Sequence, residues 1–447
     1  MATLPDYKFL DARIKYLPRR QVLAMQSERL RNMVHYIYEE APFWRKKFDA
    51  AGVKPGDIKG LEDLHRVPFC TKSELQADQA AHPPFGSYVC THRTQWRYFA
   101  ATSGTTGRPL RRVISGRDWG YMVDAFQREP SLGPGDISIT LGPIDGMLGP
   151  SLSFAYAERV GAITIAAGMY DTETKVRMIA ELKPVSISGS ASYLLHLLEV
   201  AERLQIDLSK AGLRSVTSVG EPGAAIASTH KKLKQGFGDV IIGDGYGLTE
   251  LAALGGGCAG NPALHVSADI VITEIVDPET GRQLPRGEPG EVVFSNIFGN
   301  TQPLLRYRTR DISRLSLDEV CPACGFSGAM LEGSIVGRVD DMIWYHGVNV
   351  FPTAIEETLG QFDELTAEYQ ILIDGGESTA RMTIRCESSV DINGRAAEEL
   401  GKRVTEGIKR AIRVNACVEL LAAGTLPRST GRSKLRRVVD KRRDAES

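Results

Sequence analysis

The stretch Ile137-Ser138-Ile139-Thr140-Leu141 is the first of several short β-branched runs that alternate with segments of helical composition. The later runs span residues 162–165, 185–188 and 215–219. Residues 172–182 and 191–204 lie between them and have helical composition. Strands that alternate with helices in this way are typical of a parallel sheet covered by helices. The fold class predicted for this part of the chain is therefore α/β.

Glycine-containing turns follow three of the strands in this region, namely Ser188-Gly189-Ser190, Gly220-Glu221-Pro222 and Gly243-Asp244-Gly245. In parallel α/β sheets, ligands gather at the carboxyl ends of the strands. We therefore expect these turns to line a binding site.

A second stretch with chemical content is the hydroxyl-rich loop, residues 101–109 (ATSGTTGRP). Its glycines let backbone N–H groups approach an anion, and its Ser and Thr hydroxyls can donate further hydrogen bonds. Strand-like runs at residues 96–100 and 110–114 flank it, so it differs from a Walker loop, which leads into a helix. The residues alone leave two interpretations open, a phosphate-binding loop and a polar hairpin tip.

The C-terminal half has a different pattern. Residues 270–276 and 291–295 are strand-like and joined by turns, which predicts a small antiparallel, barrel-like subdomain. Beyond residues 337–341, helical and strand-like segments predict a compact α+β unit. We predict an N-terminal domain of residues 1–339 and a smaller lid domain of residues 340–447.

The composition of the chain limits the classes of function that it can have. The chain has 447 residues, 42% of them hydrophobic and 24% charged, with a formal net charge of -1. This balance gives no support to a nucleic-acid or anionic-membrane partner. The N-terminus lacks a signal-peptide core and no apolar run approaches about 20 residues, so we expect a cytoplasmic protein. Seven cysteines in so long a chain argue against a disulfide framework.

Four further motifs follow the hydroxyl-rich loop in order. They are Asp244-Gly245-Tyr246-Gly247-Leu248-Thr249-Glu250, Tyr307-Arg308-Thr309-Arg310-Asp311, Gly337-Arg338-Val339-Asp340-Asp341 and Thr430-Gly431-Arg432-Ser433-Lys434-Leu435-Arg436-Arg437. Together the five stretches resemble the acyl-adenylate-forming superfamily, and within it the phenylacetate-CoA ligase family. The N-terminal stretches Leu17-Pro18-Arg19-Arg20 and Ala41-Pro42-Phe43-Trp44 are also similar to that family. The resemblance covers nearly the whole chain.

The resemblance implies an ATP-dependent aryl-carboxylate CoA ligase. A carboxylate is a poor acyl donor, because attack on it must expel oxide. Conversion to acyl-AMP, with release of pyrophosphate, supplies AMP as a leaving group, and CoA then takes the acyl group as a thioester. The implied substrate is an aryl or arylacetic acid, such as phenylacetate or a substituted benzoate. Transfer to a carrier-protein thiol or an amine is an open alternative, as is a non-enzymatic nucleotide-binding regulator.

The resemblance also assigns roles in ATP binding. The phosphate-gripping residues are Thr102, Ser103, Gly104, Thr105, Thr106 and Gly107, and Arg108 replaces the lysine usual after them. Glu250 is the Mg²⁺ ligand and Thr249 the phosphate contact. Gly243, Asp244, Gly245 and Tyr246 line the adenine, and Asp311 accepts bonds from the ribose hydroxyls. The structural alternatives are a turn cap for Asp311 and a core aromatic for Tyr246.

Lys434 is the predicted catalytic cation, because an ammonium placed beside the attacked phosphorus offsets the charge that accumulates there. The superfamily pattern is Gly-Lys, two residues, Arg, and here Ser433 replaces the glycine, which leaves Arg432 as a rival. The basic tail could also be only a solvated face. The family rotates its lid between the two half-reactions, and the matching hinge residue is Asp340.

The acid pocket is the least determined part of the prediction. Its predicted walls are Phe154, Tyr156, Ser188, Gly189 and Tyr246. Pockets for such acids are apolar, with few polar anchors. A homodimer is left open.

Cys321-Pro322-Ala323-Cys324-Gly325 has the knuckle spacing of structural zinc sites. Cys258 and His265 are the residues predicted to complete a Cys₃His site, and some phenylacetate-CoA ligase relatives resemble the chain in this respect. The alternatives are a redox dithiol and unrelated free thiols.

Overall fold

The computed structural model describes residues 4, 16–102, 108–126, 132–144, 146–258, 260–346, 348–375, 380–390, 394–429 and 437–444. Its helices are α1 (Arg19–Glu40), α2 (Pro42–Ala50), α3 (Lys72–Ala81), α4 (Gly116–Phe126), α5 (Leu148–Arg159), α6 (Thr172–Leu182), α7 (Ala191–Arg203), α8 (Ala227–Phe237), α9 (Pro352–Leu359), α10 (Arg395–Ile412) and α11 (Lys441–Asp444). Short 3₁₀ helices span Pro55–Asp57, Leu61–Arg66, Arg93–Gln95 and Leu208–Lys210.

The strands of the first sheets are β1 (Trp96–Ala101), β2 (Arg111–Ser115), β3 (Ile137–Thr140), β4 (Ile163–Ala166), β5 (Ser186–Gly189), β6 (Ser215–Val219), β7 (Ile241–Leu248), β8 (Ala252–Cys258) and β9 (Asn261–Val266). Those of the C-terminal half are β10 (Val271–Val276), β11 (Gly290–Asn296), β12 (Tyr307–Ser313), β13 (Met330–Leu331), β14 (Gly337–Arg338), β15 (Ile343–Tyr345), β16 (Val348–Val350), β17 (Leu365–Asp374), β18 (Arg381–Ser388), β19 (Cys417–Leu421) and β20 (Val438–Asp440).

The central sheet has eight strands in the order β13-β9-β8-β7-β6-β5-β3-β4. The pairs from β4 through β7 are parallel, and β8, β9 and β13 extend the sheet with antiparallel pairs. Each β-branched run singled out in the sequence corresponds to a strand of this sheet, and the helices between them lie on its faces. The predicted α/β class is confirmed.

Apolar side chains from both layers join strands and helices in one cluster. Ile187 and Val216 on the strands lie in it with Val176 of α6, Leu194 of α7 and Phe237 of α8, and all are fully buried. Burial of each such side chain contributes about 1.5–3 kcal/mol. This packing fixes the carboxyl ends of β5, β6 and β7 relative to one another.

The N-terminal helices belong to a larger cluster that includes the second sheet. That sheet is antiparallel, in the order β10-β11-β12-β14. Trp44 of α2 is fully buried, and its indole N–H donates to the Pro303 carbonyl at 3.1 Å. Helix α3 begins at a capping box in which the Thr71 hydroxyl accepts from the Glu74 N–H at 3.4 Å. The box sets where Lys72, the first residue of α3, stands.

The C-terminal unit has its own sheet, in the order β19-β18-β17-β20, and its own apolar core. Ile371 and Ile384 on the sheet pack with Val404 and Ile408 of α10. The buried members of this cluster lie between residues 343 and 414.

No helix in the described ranges is both long enough and apolar enough to cross a lipid bilayer.

Candidate active site

The prediction of a turn at Gly243-Asp244-Gly245 is wrong, because these predicted adenine residues lie inside strand β7, beside β6. Gly243 pairs with Thr217, Asp244 with Ser218 and Gly245 with Val219. A Cβ at Gly245 would lie 3.0 Å from the Val219 side chain, so a larger residue here would crowd the neighbouring strand. The Asp244 carboxylate accepts from the Ser334 hydroxyl at 2.7 Å, and burial raises the pKa of Asp244 to about 6.

Tyr246 and Asp311 meet across the two large sheets. The Tyr246 hydroxyl donates to one carboxylate oxygen of Asp311 at 2.5 Å, and Arg338 donates to the other at 2.6 Å. Burial raises the pKa of Tyr246 well above its ordinary value, and the charge of Asp311 adds to this effect. The carboxylate of Asp311 is therefore held by two side chains, and only 4% of the residue is exposed.

Glu250, in the turn after β7, contacts the first residue of β12. Its carboxylate accepts from the Tyr307 hydroxyl at 3.2 Å and lies 3.3 Å from the Lys72 ammonium. Arg112 donates to the Thr249 carbonyl at 2.8 Å. Burial lowers the pKa of Arg112 to about 10, so the guanidinium stays charged at neutral pH. Two cations thus stand beside the Thr249-Glu250 pair.

Strand β12 joins these two places. Tyr307, Thr309 and Asp311 on this strand are all buried. A β-bulge lies between them, where Arg310 has a φ of 65°, and the contacts of Tyr307 with Glu250 and of Asp311 with Tyr246 lie on either side of it. Successive groups of an extended ligand could bind at the two ends.

The hydroxyl-rich loop starts close to Glu250. The Thr102 N–H donates to the Leu110 carbonyl at 3.0 Å, and the Thr102 hydroxyl accepts from the Leu110 N–H at 3.0 Å. Leu110 lines a small cavity together with Arg112, Thr249 and Glu250. β1 and β2 form the expected antiparallel pair on either side. Ser103, Gly104, Thr105, Thr106 and Gly107 lie outside the described residues.

The predicted acid-pocket residues fall in two places. Ser188 pairs with Thr217, which pairs with Gly243. Ser188 and Gly189 therefore lie at the same end of the parallel strands as the predicted adenine residues of β7. Tyr156 of α5 belongs to the large apolar core and is 5% exposed. Phe154 on the same helix is half-buried.

Asp340 is connected to the Asp311 site through arginines. Arg310 donates to one oxygen of Asp340 at 3.0 Å, and Arg338 donates to the other at 3.4 Å. Because Arg338 also holds Asp311, one guanidinium contacts both carboxylates. Lys434 and its rival Arg432 lie outside the described residues.

Sequence reasoning missed Lys72, Arg112 and Arg338. Arg338 stands inside a quoted motif but had no role there. Lys72 and Arg112 belong to no motif, and the one local signal was the capping box before Lys72.

Cys258, His265, Cys321 and Cys324, the Cys/His cluster, bring their ligand atoms within 4.8 Å of one another. The Cys258 and Cys321 sulfurs are 4.0 Å apart, and the Cys324 sulfur is 3.6 Å from His265 Nε2. A tetrahedral zinc ion with bonds of about 2.3 Å to sulfur and 2.0 Å to nitrogen needs separations of about 3.8 and 3.5 Å. The donor set and its spacing fit zinc.

The surroundings of the cluster also suit a structural ion. Burial acts to raise the pKa of Cys321, but the N–H groups of Cys324 and Ala323 and the Asn261 amide hold it below its ordinary value. Donors that stabilise a thiolate favour metal ligation. Two ligands come from the β8–β9 hairpin and two from the loop before β13, so an ion here would tie the edge of the central sheet.

Comparison with known proteins shows which family this chain belongs to. The family model described as AMP-binding enzyme matches residues 46–299, and the model described as AMP-binding enzyme C-terminal domain matches residues 347–442. The chain belongs to the AMP-binding enzyme family and, within it, to the phenylacetate-coenzyme A ligase group. The predicted family is confirmed.

Curated phenylacetate-coenzyme A ligases match over almost their full length. The phenylacetate-coenzyme A ligase of Thermus thermophilus is 32% identical, and the match covers 96% of this chain and 99% of the relative. The phenylacetate-coenzyme A ligase of Escherichia coli is 31% identical over 92% of this chain and 94% of the relative.

Among solved structures, 2-hydroxyisobutyryl-CoA ligase in its postadenylation state, bound to R3-HIB-AMP, has a TM-score of 0.88 at 28% identity. That match covers 100% of this chain and 96% of the other. The same enzyme in its thioesterification state, with 2-HIB-AMP and CoA, has a TM-score of 0.71 over 98% of this chain and 94% of the other, at 30% identity. The arrangement described here is closer to the postadenylation structure.

Proposed function

We propose that this chain, an AMP-forming acyl-CoA ligase by family, activates an aryl or arylacetic acid such as phenylacetate or a substituted benzoate. ATP and the acid give acyl-AMP and pyrophosphate, and CoA then takes the acyl group. The observation that carries the proposal is the link from Tyr246 and Asp311 to Glu250 along β12. Phenylacetate ligases that match nearly the whole chain support the aryl class.

Asp311 would receive the ribose. Its two oxygens accept from Tyr246 and from Arg338, and a carboxylate has acceptor sites enough for ribose hydroxyls as well. The bonds from Tyr246 and Arg338 hold the carboxylate in place before ATP arrives. The adenine would lie along residues 243–246 of β7, between β6 and the ring of Tyr246.

The triphosphate would lie toward Glu250. A buried carboxylate supplies the one protein ligand that Mg²⁺ needs when phosphate oxygens and waters complete its shell. The Lys72 ammonium and the Arg112 guanidinium would offset phosphate charge from two sides. The hydroxyl-rich loop would grip the outer phosphates, with Arg108 as its cation.

Lys434 would stabilise the charge that accumulates as the carboxylate attacks the α-phosphorus. The lid would then rotate about Asp340, which would remove Lys434 and admit CoA. The higher TM-score against the postadenylation structure supports assigning the present arrangement to the stage at which acyl-AMP is held, before the thioester step.

Zn²⁺ would be held by the Cys/His cluster as a structural ion. All four ligands come from the protein, so no position is left open for a substrate. When bound, the ion supplies cross-linking of the sheet edge and no chemistry in the ligase reaction.

The test is a two-stage assay on the full chain. ATP, Mg²⁺ and a panel of aryl acids are supplied and pyrophosphate is measured, and CoA is then added and the thioester is detected by mass. We expect pyrophosphate with at least one aryl acid, followed by its CoA thioester. Absence of pyrophosphate with every acid would refute the proposal, and pyrophosphate without thioester would indicate a different acceptor.

Replacement of Lys434 by alanine locates the catalytic cation in the same assay. Pyrophosphate release should be lost, while thioester formation from supplied acyl-AMP should persist. An unaffected first stage would transfer the role to Arg432.

A further inference from the structure

The residues that precede Lys434 are fixed to the lid by one buried carboxylate. Glu387 of β18 has a fully buried side chain. It accepts from the Gly424 N–H at 3.0 Å, from the Leu426 N–H, and from both terminal nitrogens of Arg428 at 3.0 and 2.7 Å. Burial acts to raise the pKa of Glu387, but Arg428 and the two N–H groups hold it below its ordinary value. Glu387 therefore stays charged and anchors residues 424–428.

The residues that follow Lys434 are anchored in a similar way. Arg437 pairs with Glu368 of β17, whose side chain is 1% exposed, and its guanidinium lies over the Tyr369 ring at 4.7 Å. β17 and β18 are neighbouring strands. Arg428 and Arg437 thus hold both ends of the segment that contains Lys434 against one lid sheet.

Arg428 also reaches across to the N-terminal domain. Its Nε lies 3.3 Å from a carboxylate oxygen of Glu199, which projects from α7. Three other polar contacts between the domains lie elsewhere on the lid. Ser228 donates to Glu357 at 3.2 Å, Lys232 donates to the Leu365 carbonyl at 3.4 Å, and Lys231 lies 3.8 Å from Asp363. Among these contacts, the Glu199–Arg428 pair is the one next to the Lys434 segment.

We infer that Glu199 is a positioning residue for adenylation, which ties the lid segment before Lys434 to α7 through Arg428. The inference rests on the proposed function for the role of Lys434. When the lid rotates for the thioester step, the bond between Arg428 and Glu199 must break, while the bond between Arg428 and Glu387, within the lid, is retained. Through this pair Glu199 favours the present lid arrangement over the other, and it also lies 3.5 Å from His196 Nδ1 on its own helix.

The strength of the pair sets the expected effect. The Arg428 and Glu199 side chains are 22% and 34% exposed, so solvent and salt screen their attraction. Loss of such a pair should slow adenylation by about two- to fivefold, and a like charge at this position by about tenfold.

The experiment compares Glu199→Gln and Glu199→Lys with wild type in the two half-reactions. Pyrophosphate release should fall about threefold and tenfold, respectively, while thioester formation from supplied acyl-AMP should stay unchanged. Added salt should slow the first half-reaction of wild type more than that of Glu199→Gln. Glu202→Gln is the matched control, because Glu202 is exposed on the same helix. Equal losses in both half-reactions, or unchanged pyrophosphate release by Glu199→Lys, would overturn the inference.

Small-angle scattering of the unliganded proteins supplies a readout that needs no turnover. Glu199→Lys should have a larger radius of gyration than wild type and Glu202→Gln, because the lid is less often docked on α7. If wild type released no pyrophosphate with any acid, the proposed function would fail. The scattering would still show whether the Glu199–Arg428 contact holds the lid against α7. Identical scattering from all three proteins would refute it.

Discussion

The Cys/His cluster is built from buried and half-buried ligating groups and the Asp311–Glu250 site from buried ones, and the groups of the two sites have different partners. The cluster residues lie mainly against one another, with Asn261 beside Cys321. The carboxylates of the other site are already held by cations and hydroxyls, Asp311 by Arg338 and Tyr246, and Glu250 by Lys72 and Tyr307.

This difference separates a resident ligand from a transient one. Closely spaced thiolates, the form of cysteine that binds a metal, need an ion to offset their charge, so the proposed zinc would contribute to folding itself. Carboxylates that are already hydrogen-bonded keep their geometry before and after a nucleotide binds. Substitutions in the cluster should therefore alter stability, and substitutions in the nucleotide site should alter turnover.

Asp311→Asn should have the largest effect and should act on ATP. The amide removes the charge from the proposed ribose contact, and a hydrogen bond to a charged group contributes about 1.5–3 kcal/mol. The KM for ATP should rise about 10- to 100-fold in the pyrophosphate assay, while zinc content stays unchanged. Asp239→Asn is the control, because Asp239 is exposed. A wild-type KM for ATP would remove Asp311 from the nucleotide site.

Cys324→Ser should show the opposite pattern. Zinc measured by atomic absorption should fall from one ion per chain to none, and the Tm should fall by about 5 °C, because the sheet edge loses its cross-link. Turnover per folded molecule should change little. Cys417→Ser serves as the control, because Cys417 is exposed on β19, away from the cluster. A wild-type protein without zinc, with the same Tm after chelator treatment, would contradict this assignment.

More of the residues of the Cys/His cluster than of the nucleotide site could be predicted from the sequence, and the reason is physical. Cys-x-x-Cys spacing is local, so Cys321 and Cys324 were recognisable without the fold. The strands 137–141 and 215–219 were recognisable because period and composition are also local.

The cations around Glu250 could be identified only from the folded structure. Three separate elements supply these residues: α3 supplies Lys72, β2 supplies Arg112, and the turn after β7 supplies Glu250. The packing of those elements brings the three side chains together. The same holds for Arg338, whose position between Asp311 and Asp340 depends on the pairing of β12 with β14. No spacing rule along the chain encodes such contacts.

Lys72→Gln tests whether one of these cations acts on the nucleotide. Its ammonium lies 3.3 Å from Glu250, so its loss should weaken the charge balance around the phosphates. Pyrophosphate release should slow by about three- to tenfold, and the Mg²⁺ dependence should shift, with the Tm nearly unchanged. The exposed Lys59 provides the control, as Lys59→Gln. A fall in Tm with no kinetic change would make Lys72 a structural partner of Glu250.

Asp244→Asn should have the smallest effect, and it separates stability from turnover within the nucleotide site. Burial raises the pKa of Asp244 from 3.8 to about 6, against the bond from Ser334. The folded state therefore binds this proton more tightly than the unfolded state, and the stability it contributes is lost as pH rises from about 4 to about 6. The amide carries no charge, so Asp244→Asn should raise the Tm by about 1–2 °C above pH 6 and hardly alter it at pH 4. Thermal melts at several pH values measure this difference, and a gap that is constant with pH would show that burial of the Asp244 charge carries no stability cost.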